Sequence, residues 1–90
     1  MKFICINSFS VYYNTGYVDI LKDKMFYIME IKRHEPRFRW SISSDSSTYK
    51  PYIGSDTYFV NTLCVISYEE VERYFISLAE YRQQRLNELI

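Results

Sequence analysis

Glycine, proline, cysteine and histidine are all scarce in this 90-residue chain, which contains two, two, two and one of them respectively. So little glycine leaves no glycine-rich phosphate-binding loop, and one histidine with two separated cysteines leaves no zinc-binding cluster. The cysteines are also too few for the disulfide framework of a small secreted protein. No apolar run reaches the ~18 residues needed to span a membrane. Eleven basic residues balance eleven acidic ones, which argues against the strongly basic surface of a nonspecific nucleic-acid-binding protein.

Aromatic residues, in contrast, are abundant. They make up 19% of the chain, with ten tyrosines among them, and hydrophobic residues as a class make up 48%, which is enough to form a folded core. The length allows one domain, spanning residues 1–90. The opening apolar run is too short for a signal peptide because Asn7 and Ser8 interrupt it. We therefore expect a single soluble, cytoplasmic domain without a cofactor or a bound metal.

The two cysteines lie far apart in the sequence and among apolar neighbours. Ile4 and Ile6 flank Cys5, and Leu63 and Val65 flank Cys64. This setting predicts two reduced, buried thiols that act as small hydrophobic side chains. A disulfide between them stays open, because sequence spacing does not fix bridge geometry.

Alternating and continuous apolar stretches predict an antiparallel sheet over residues 2–66. The first strand is predicted to be long and central, and the second and third to form a hairpin around the polar turn at residues 22–24. Gly16 is expected to take a positive φ in the turn before the second strand. The predicted strands are 2–13, 17–22, 25–33, 37–43 and 58–66. The fourth alternates, so we expect one buried face with Phe38, Trp40 and Ile42 and one solvated face with Arg37, Arg39, Ser41 and Ser43.

Residues 44–57 have the only loop-like composition in the chain, rich in serine, threonine and aspartate. A connection of this length in a small domain is usually functional or disordered. We expect a flexible loop that contributes to binding.

A C-terminal helix is the strongest local prediction. Ser67 and Glu70 have the spacing of a capping box, and Ile66 with Val71 would complete a hydrophobic staple. The apolar stripe that follows predicts one helix over residues 68–89. The fold class is therefore α+β, with an antiparallel four- or five-stranded sheet and one long C-terminal helix packed on one face. The stripe consists of Val71, Phe75, Leu78, Leu86 and Leu89.

Residues that could carry catalysis are few. His34 lies in a charged turn, which favours a surface role over that of a general base. Asp45 and Asp56 border the long loop, but two carboxylates so far apart are a weak cation signal. The acidic residues at the helix start are explained by the helix dipole.

Basic residues cluster around the predicted fourth strand. Residues 31–40 carry four cations against one anion, Glu35, for a local charge of +3. Two interpretations remain open: charges that protect an edge strand from pairing, or a patch for phosphate groups or an acidic protein. The cations are Lys32, Arg33, Arg37 and Arg39.

Tyrosine is the second candidate binding element, because its large ring and polar tip make it frequent at protein interfaces. We expect at least three tyrosines to be exposed and clustered. Tyr49, Tyr52 and Tyr58 lie in and beside the long loop, and three more lie around the first turn, at Tyr12, Tyr13 and Tyr17.

The opening Met1–Ile4, the order of a turn-rich sheet and a late helix, and the helix start from Ser67 to Phe75 resemble small phage-encoded anti-CRISPR inhibitors of type I surveillance complexes. The resemblance covers the order of elements and transfers no functional residue. It implies a non-enzymatic protein, acting in the host cytoplasm, that binds a host protein or ribonucleoprotein complex and blocks it sterically. The alternatives are a direct nucleic-acid-binding protein using the basic cluster, a small nuclease or toxin using His34, and a structural role; the protein would be a monomer or a homodimer.

Overall fold

A five-stranded antiparallel sheet and two helices form the framework, so the predicted α+β class is confirmed. The computed structural model describes residues 2–31 and 39–88. In chain order the elements are β1 (Lys2–Cys5), β2 (Phe9–Tyr13), β3 (Gly16–Ile20), β4 (Met25–Ile31), β5 (Arg39–Ser43), β6 (Thr48–Tyr49), β7 (Tyr58–Phe59), β8 (Cys64–Ser67), α1 (Tyr68–Tyr74), β9 (Phe75–Ser77) and α2 (Leu78–Glu88).

The main sheet has the strand order β8-β5-β4-β1-β9. The predicted first strand over residues 2–13 is wrong as one element, since the chain leaves the sheet after Cys5. The N–H of Ile6 donates to the carbonyl of Tyr74 at 2.8 Å, and the carbonyl of Cys5 accepts from Asp23 at 2.8 Å. These bonds satisfy the backbone where β1 ends, so residues 6–8 can turn away without losing hydrogen bonds.

The predicted hairpin between the second and third strands is also wrong. β3 pairs with β2 in a separate two-stranded sheet, from Phe9↔Ile20 to Tyr13↔Gly16, while β4 pairs with β1 and β5. Asn14, and not Gly16, takes the positive φ of 64° in the connecting turn. Asparagine is one of the few residues with a side chain that tolerates this conformation.

The main core lies on one face of the five-stranded sheet. Directly paired residues of antiparallel strands point to the same face, and the pairs Ile28↔Ile42 and Ile42↔Cys64 place these side chains together. The β2–β3 hairpin contributes Ile20, and α1 contributes Val71. The buried members of this cluster are Cys5, Ile20, Phe26, Ile28, Ile42, Cys64, Ile66, Val71 and Phe75.

The cysteines are both free and buried, as expected. The sheet also resolves the disulfide alternative, because β4 and β5 lie between β1 and β8. Three inter-strand spacings of ~4.8 Å separate the two strands, whereas a disulfide requires Cα atoms within about 7 Å. The thiols of Cys5 and Cys64 therefore cannot bridge within one chain.

The capping box at the start of the C-terminal region is confirmed. The Ser67 hydroxyl accepts from the N–H of Glu70, and the Glu70 carboxylate accepts from the N–H of Ser67. The prediction of a single helix over residues 68–89 is wrong, however, because α1 ends at Tyr74. Phe75 is extended, with φ −133° and ψ 149°, and begins β9.

Strand β9 breaks the helix because it has a partner elsewhere in the sheet. It pairs with β1 from Cys5↔Phe75 to Phe3↔Ser77, and the Phe75 side chain is only 3% exposed in the core. Helix α2 then restarts and buries no side chain. The predicted packing of a C-terminal helix on the sheet is confirmed, because α2 contacts β1 and β9. The predicted apolar stripe holds only in its first part: Val71 and Phe75 are buried and Leu78 is half-buried, but Leu86 is 57% exposed, and Leu89 lies outside the described residues.

Residues 44–57 do not form an unstructured loop throughout. Strand β6 inside this segment pairs with β7 through Thr48↔Phe59 and Tyr49↔Tyr58. The predicted strand over 58–66 is likewise divided, by a turn at residues 60–63. Neither helix of the described residues is long and apolar enough to cross a membrane.

Candidate interaction surfaces

A cleft of about 240 Å³ lies where the tip of the β2–β3 hairpin meets one end of the sheet, and its described lining residues are Tyr12, Tyr13, Ile31, Arg39 and Val65. The pairing Ile31↔Arg39 places these two side chains on the face opposite the main core. Tyr13 lines the cleft while also packing against the core. The cleft therefore combines a guanidinium, two phenol rings and an aliphatic floor.

Of the predicted basic cluster, Arg39 is the member that the structure describes, and its side chain is exposed. It lies beside two tyrosines predicted separately as binding residues, a proximity that the sequence does not reveal. The other expectations for this segment, at Lys32, Arg33, His34 and Arg37, fall on residues 32–38, outside the described residues.

Trp40, the neighbour of Arg39, points to the core face as predicted. Its ring packs against the core cluster and lies 6.0 Å from the ring of Tyr68. Its indole N–H is buried and has no hydrogen-bond partner among residues 2–31 and 39–88. The alternation predicted for this strand is therefore confirmed at Arg39 and Trp40. The solvated position predicted for Ser41 and Ser43 is wrong, because both are buried beneath Asn61 and Thr62, to which their hydroxyls are hydrogen-bonded.

The outer face of the β2–β3 hairpin carries an exposed aromatic pair. Tyr12 and Tyr17 are cross-strand partners, 64% and 77% exposed, with ring centroids 5.3 Å apart in an edge-to-face arrangement. Next to them the Ser10 hydroxyl donates to the Asp19 carboxylate at 2.5 Å. The edge-to-face contact favours this arrangement of the two rings, so this face presents their apolar area together.

A second exposed aromatic pair lies on β6 and β7. The rings of Tyr49 and Tyr58 are 5.9 Å apart; Tyr49 is exposed and Tyr58 is half-buried. Tyr52, the third tyrosine predicted in this region, lies beyond them on the connecting turn and is 77% exposed. We call residues 48–59 the prong. The structure thus places Tyr49 and Tyr58 together and leaves Tyr52 at the tip.

The tip of the prong is a hydrogen-bonded turn. The N–H of Ser55 donates to the carbonyl of Tyr52 at 3.1 Å, and Gly54 has φ +83°, as a type II turn requires at its third position. The Ser55 hydroxyl accepts from the N–H of Tyr52 at 3.0 Å and donates to its carbonyl at 2.6 Å. Three hydrogen bonds therefore hold Ile53 at the apex, where it is completely exposed.

Sequence reasoning missed Ile53. One isoleucine in a polar loop gives no periodic pattern, so composition alone does not mark it. The available signal was local: glycine follows it at the position where a type II turn needs a positive φ.

Buried serines anchor the base of the prong to the sheet. The Ser43 hydroxyl donates to the carbonyl of Asn61 at 2.7 Å, and the hydroxyls of Ser41 and Thr62 are 3.1 Å apart. Both serines are almost fully buried. These bonds satisfy polar groups that would otherwise be costly to bury, and they fix the strand from which the prong departs.

Of the two aspartates considered as a weak cation signal, Asp45 has a structural role. The Asp45 carboxylate accepts from the N–H of Ser47 at 2.8 Å, and this bond lowers the pKa of Asp45. In the part of the chain that the structure describes, no group of three or more histidine, cysteine, aspartate or glutamate side chains could hold a metal ion.

The thiols are not activated as nucleophiles. Burial, together with the nearby Glu70 carboxylate, raises the pKa of Cys64 to about 11, and burial also raises the pKa of Cys5. A nucleophilic cysteine needs the opposite shift and solvent access.

A scan against protein-family models, a search of curated proteins and a search of solved structures each return no match to this chain.

Proposed function

We propose that this chain is a non-enzymatic protein-binding domain that acts by steric occlusion of its partner. The observation that carries the proposal is the pairing of tyrosine rings at the surface of two separate hairpins: Tyr12 with Tyr17, both exposed, and exposed Tyr49 with half-buried Tyr58.

Single exposed hydrophobic side chains are common on protein surfaces and need no explanation. Paired rings are different, because their contact favours one arrangement before binding, and tyrosine has few rotatable bonds to immobilise. Tyrosine is also among the residues whose truncation most often costs binding energy at interfaces. The two hairpins therefore favour recognition of another macromolecule over a purely structural role.

The more specific form of the proposal follows from the resemblance to anti-CRISPR inhibitors. The partner would be a host protein or ribonucleoprotein complex of nucleic-acid-handling defence, the protein would be phage-encoded, and binding would block a functional surface of that complex. A standard interface buries about 800 Å² on each partner, and the total accessible surface here is 6814 Å². One face of this small domain is enough for such an interface.

The test is a pull-down from host lysate with the tagged protein, with and without nuclease, followed by affinity measurement on the retained protein. We expect a stoichiometric partner that survives nuclease. Tyr52→Ala or Tyr49→Ala should weaken its binding by about 1–3 kcal/mol, as truncation of interface aromatics does. Leu21→Ser is the matched control, since Leu21 is 52% exposed but lies outside both hairpin surfaces. If the tyrosine variants bind as tightly as this control, residues 44–57 are not part of the interface.

The cleft favours a second candidate function, binding of single-stranded nucleic acid. Arg39 beside Tyr12 and Tyr13 provides a cation and stacking surfaces for an unpaired base. Recovery that depends on intact nucleic acid in the same pull-down would support it. Binding of an oligothymidylate probe should then weaken steeply with salt, because phosphate contacts release counterions, and Arg39→Gln should reduce that salt dependence.

A further inference from the structure

We infer that the prong is a preformed insertion element whose tip, Ile53 with Tyr52, enters an apolar pocket of the partner protein. This inference rests on the proposed protein-binding function and assigns the central contact within it.

The first argument is that Ile53 and Tyr52 are exposed side by side at one apex, unlike the isolated hydrophobic side chains that surfaces commonly carry. Ile53 has no shielding from its own chain, and it stands at the apex of a turn rather than on a broad surface where neighbours cover part of a side chain. Burial in a partner would remove its whole apolar area from water, and the hydrophobic effect scales with that area. Tyr52, which immediately precedes Ile53 and is also exposed, adds an aromatic ring whose hydroxyl would lie at the rim of the pocket.

The second argument is that the turn is ordered before binding. Ser55 closes it with three hydrogen bonds to the backbone of Tyr52, and Gly54 supplies the positive φ. At the other end the Tyr49–Tyr58 pair and the backbone bond from Val60 to Ser47, at 2.9 Å, join the two strands. A loop fixed in its bound shape loses less entropy on binding than a mobile one.

The third argument concerns the kind of partner. The prong carries one cation, Lys50, and one anion, Asp56, so it has no net charge. Nucleic acid and anionic lipid surfaces attract cations, so a neutral segment with an aliphatic tip favours neither. An apolar pocket on a protein fits both the charge and the shape.

Gly54 offers a clean way to perturb the shape without changing the contact residues. A Cβ at this position would meet no atom within 4 Å, so Gly54→Ala disturbs only the backbone preference. A residue with a Cβ disfavours this left-handed conformation, which should lower the equilibrium constant for forming the turn roughly tenfold.

The experiment measures binding kinetics between the immobilised partner recovered by pull-down and four variants of the full chain. We expect Ile53→Ser to weaken affinity about 10- to 100-fold, and Ile53→Val, which keeps most of the apolar area, to stay within about threefold. Gly54→Ala should weaken affinity several-fold, and Leu21→Ser should match the unmodified protein. Melting curves of all four variants check that the fold is intact.

Three results would overturn the inference. If a protein partner is retained but Ile53→Ser binds like Leu21→Ser, the prong fails and the protein-binding function stands. If no protein is retained, or only nucleic acid, the proposed function fails and the prong with it. Amide order parameters give a measurement without any partner: residues 52–55 should reach the ~0.85 of rigid backbone, and values below ~0.6 would show that the tip is not preformed.

Discussion

Replacing Ser77 by alanine tests the most unexpected feature of the fold, the interruption between α1 and α2. Ser77 ends β9 and caps α2: its hydroxyl accepts from the N–H of Glu80 at 3.2 Å. Ser67 has the same relation to Glu70 at the start of α1, at 3.3 Å. The sequence thus contains two Ser-x-x-Glu patterns, each beginning a helix, and the second explains where the chain becomes helical again.

The sign of the change in helix stability caused by Ser77→Ala distinguishes the interrupted helix from a continuous helix over residues 68–89. With Ser77 as the N-cap, Ser77→Ala should destabilise α2 by about 1 kcal/mol. In a helix running continuously over residues 68–89, Ser77 would be an interior residue, and alanine would instead stabilise by up to about 0.5 kcal/mol. Few other interactions compensate in α2, because it has 11 residues and buries none of them, and isolated helices shorter than ~12–15 residues are marginal in water.

Native-state hydrogen exchange is the appropriate assay, because α2 can open without unfolding the core. A loss of about 1 kcal/mol corresponds to roughly fivefold faster exchange. We expect this acceleration at the amide of Glu80 and along the first turn of α2, with the amide of Glu70 unchanged. Ser67→Ala is the matched control and should accelerate exchange in α1.

Unchanged or slower exchange at Glu80 in Ser77→Ala would refute the interrupted structure. The same conclusion would follow if the Ser67→Ala and Ser77→Ala variants both perturbed one common set of amides from α1 to α2. Helical chemical shifts at residues 75–77 in the unmodified protein would give an independent contradiction.

Two further predictions concern the core. Phe75→Ala should lower the free energy of unfolding by about 3–5 kcal/mol, because Phe75 is buried and contacts the rings of Phe9 and Phe26 edge-on at 5.7 and 6.0 Å; Phe75→Leu should cost much less, and similar denaturation midpoints for the two variants would contradict the packing. The pKa of Cys64 is raised to about 11 in the folded protein, against ~8.5 in the unfolded chain. The contribution of this thiol to the free energy of unfolding is therefore fully present below pH ~8.5. It is lost as the pH rises through about 11, by up to ~3 kcal/mol, because only the unfolded chain ionises readily in that range. Denaturation from pH 8 to 11 should therefore show a smaller loss of stability in Cys64→Ala, and identical losses would exclude the thiol as the cause.

Local chemistry allowed the fold class to be predicted. The capping box at Ser67 and Glu70 depends on residues three positions apart, and the alternation at Arg39 and Trp40 depends on neighbours, so both could be predicted from sequence. The break at Phe75 could not be predicted from helical periodicity, because its cause is pairing with β1 at the other end of the chain. Tertiary pairing here overrides a local helical pattern.

For the candidate surfaces too, features set by neighbouring residues could be predicted from sequence, and features set by tertiary packing could not. Loop composition pointed correctly to Tyr49, Tyr52 and Tyr58 as a region of exposed rings, although Tyr58 is half-buried. The approach of Arg39 to Tyr12 depends on how the β2–β3 hairpin packs against the sheet, and the sequence predicted a different hairpin. Ile53 depends on a single turn geometry, which only the glycine after it signals.

The position of β1 has a consequence for how the chain is synthesised. β1 is made before the other strands of its sheet, and one of its two partners, β9, is made after β4, β5 and β8. Until Phe75–Ser77 is available, β1 is the outer strand of the sheet and its unpaired backbone groups can bind other strands. Such long-range pairing also slows folding. A nascent or truncated chain that lacks β9 should therefore be prone to aggregation. In the complete sheet β9 covers β1 and becomes the outer strand itself, and its three residues leave a much shorter edge.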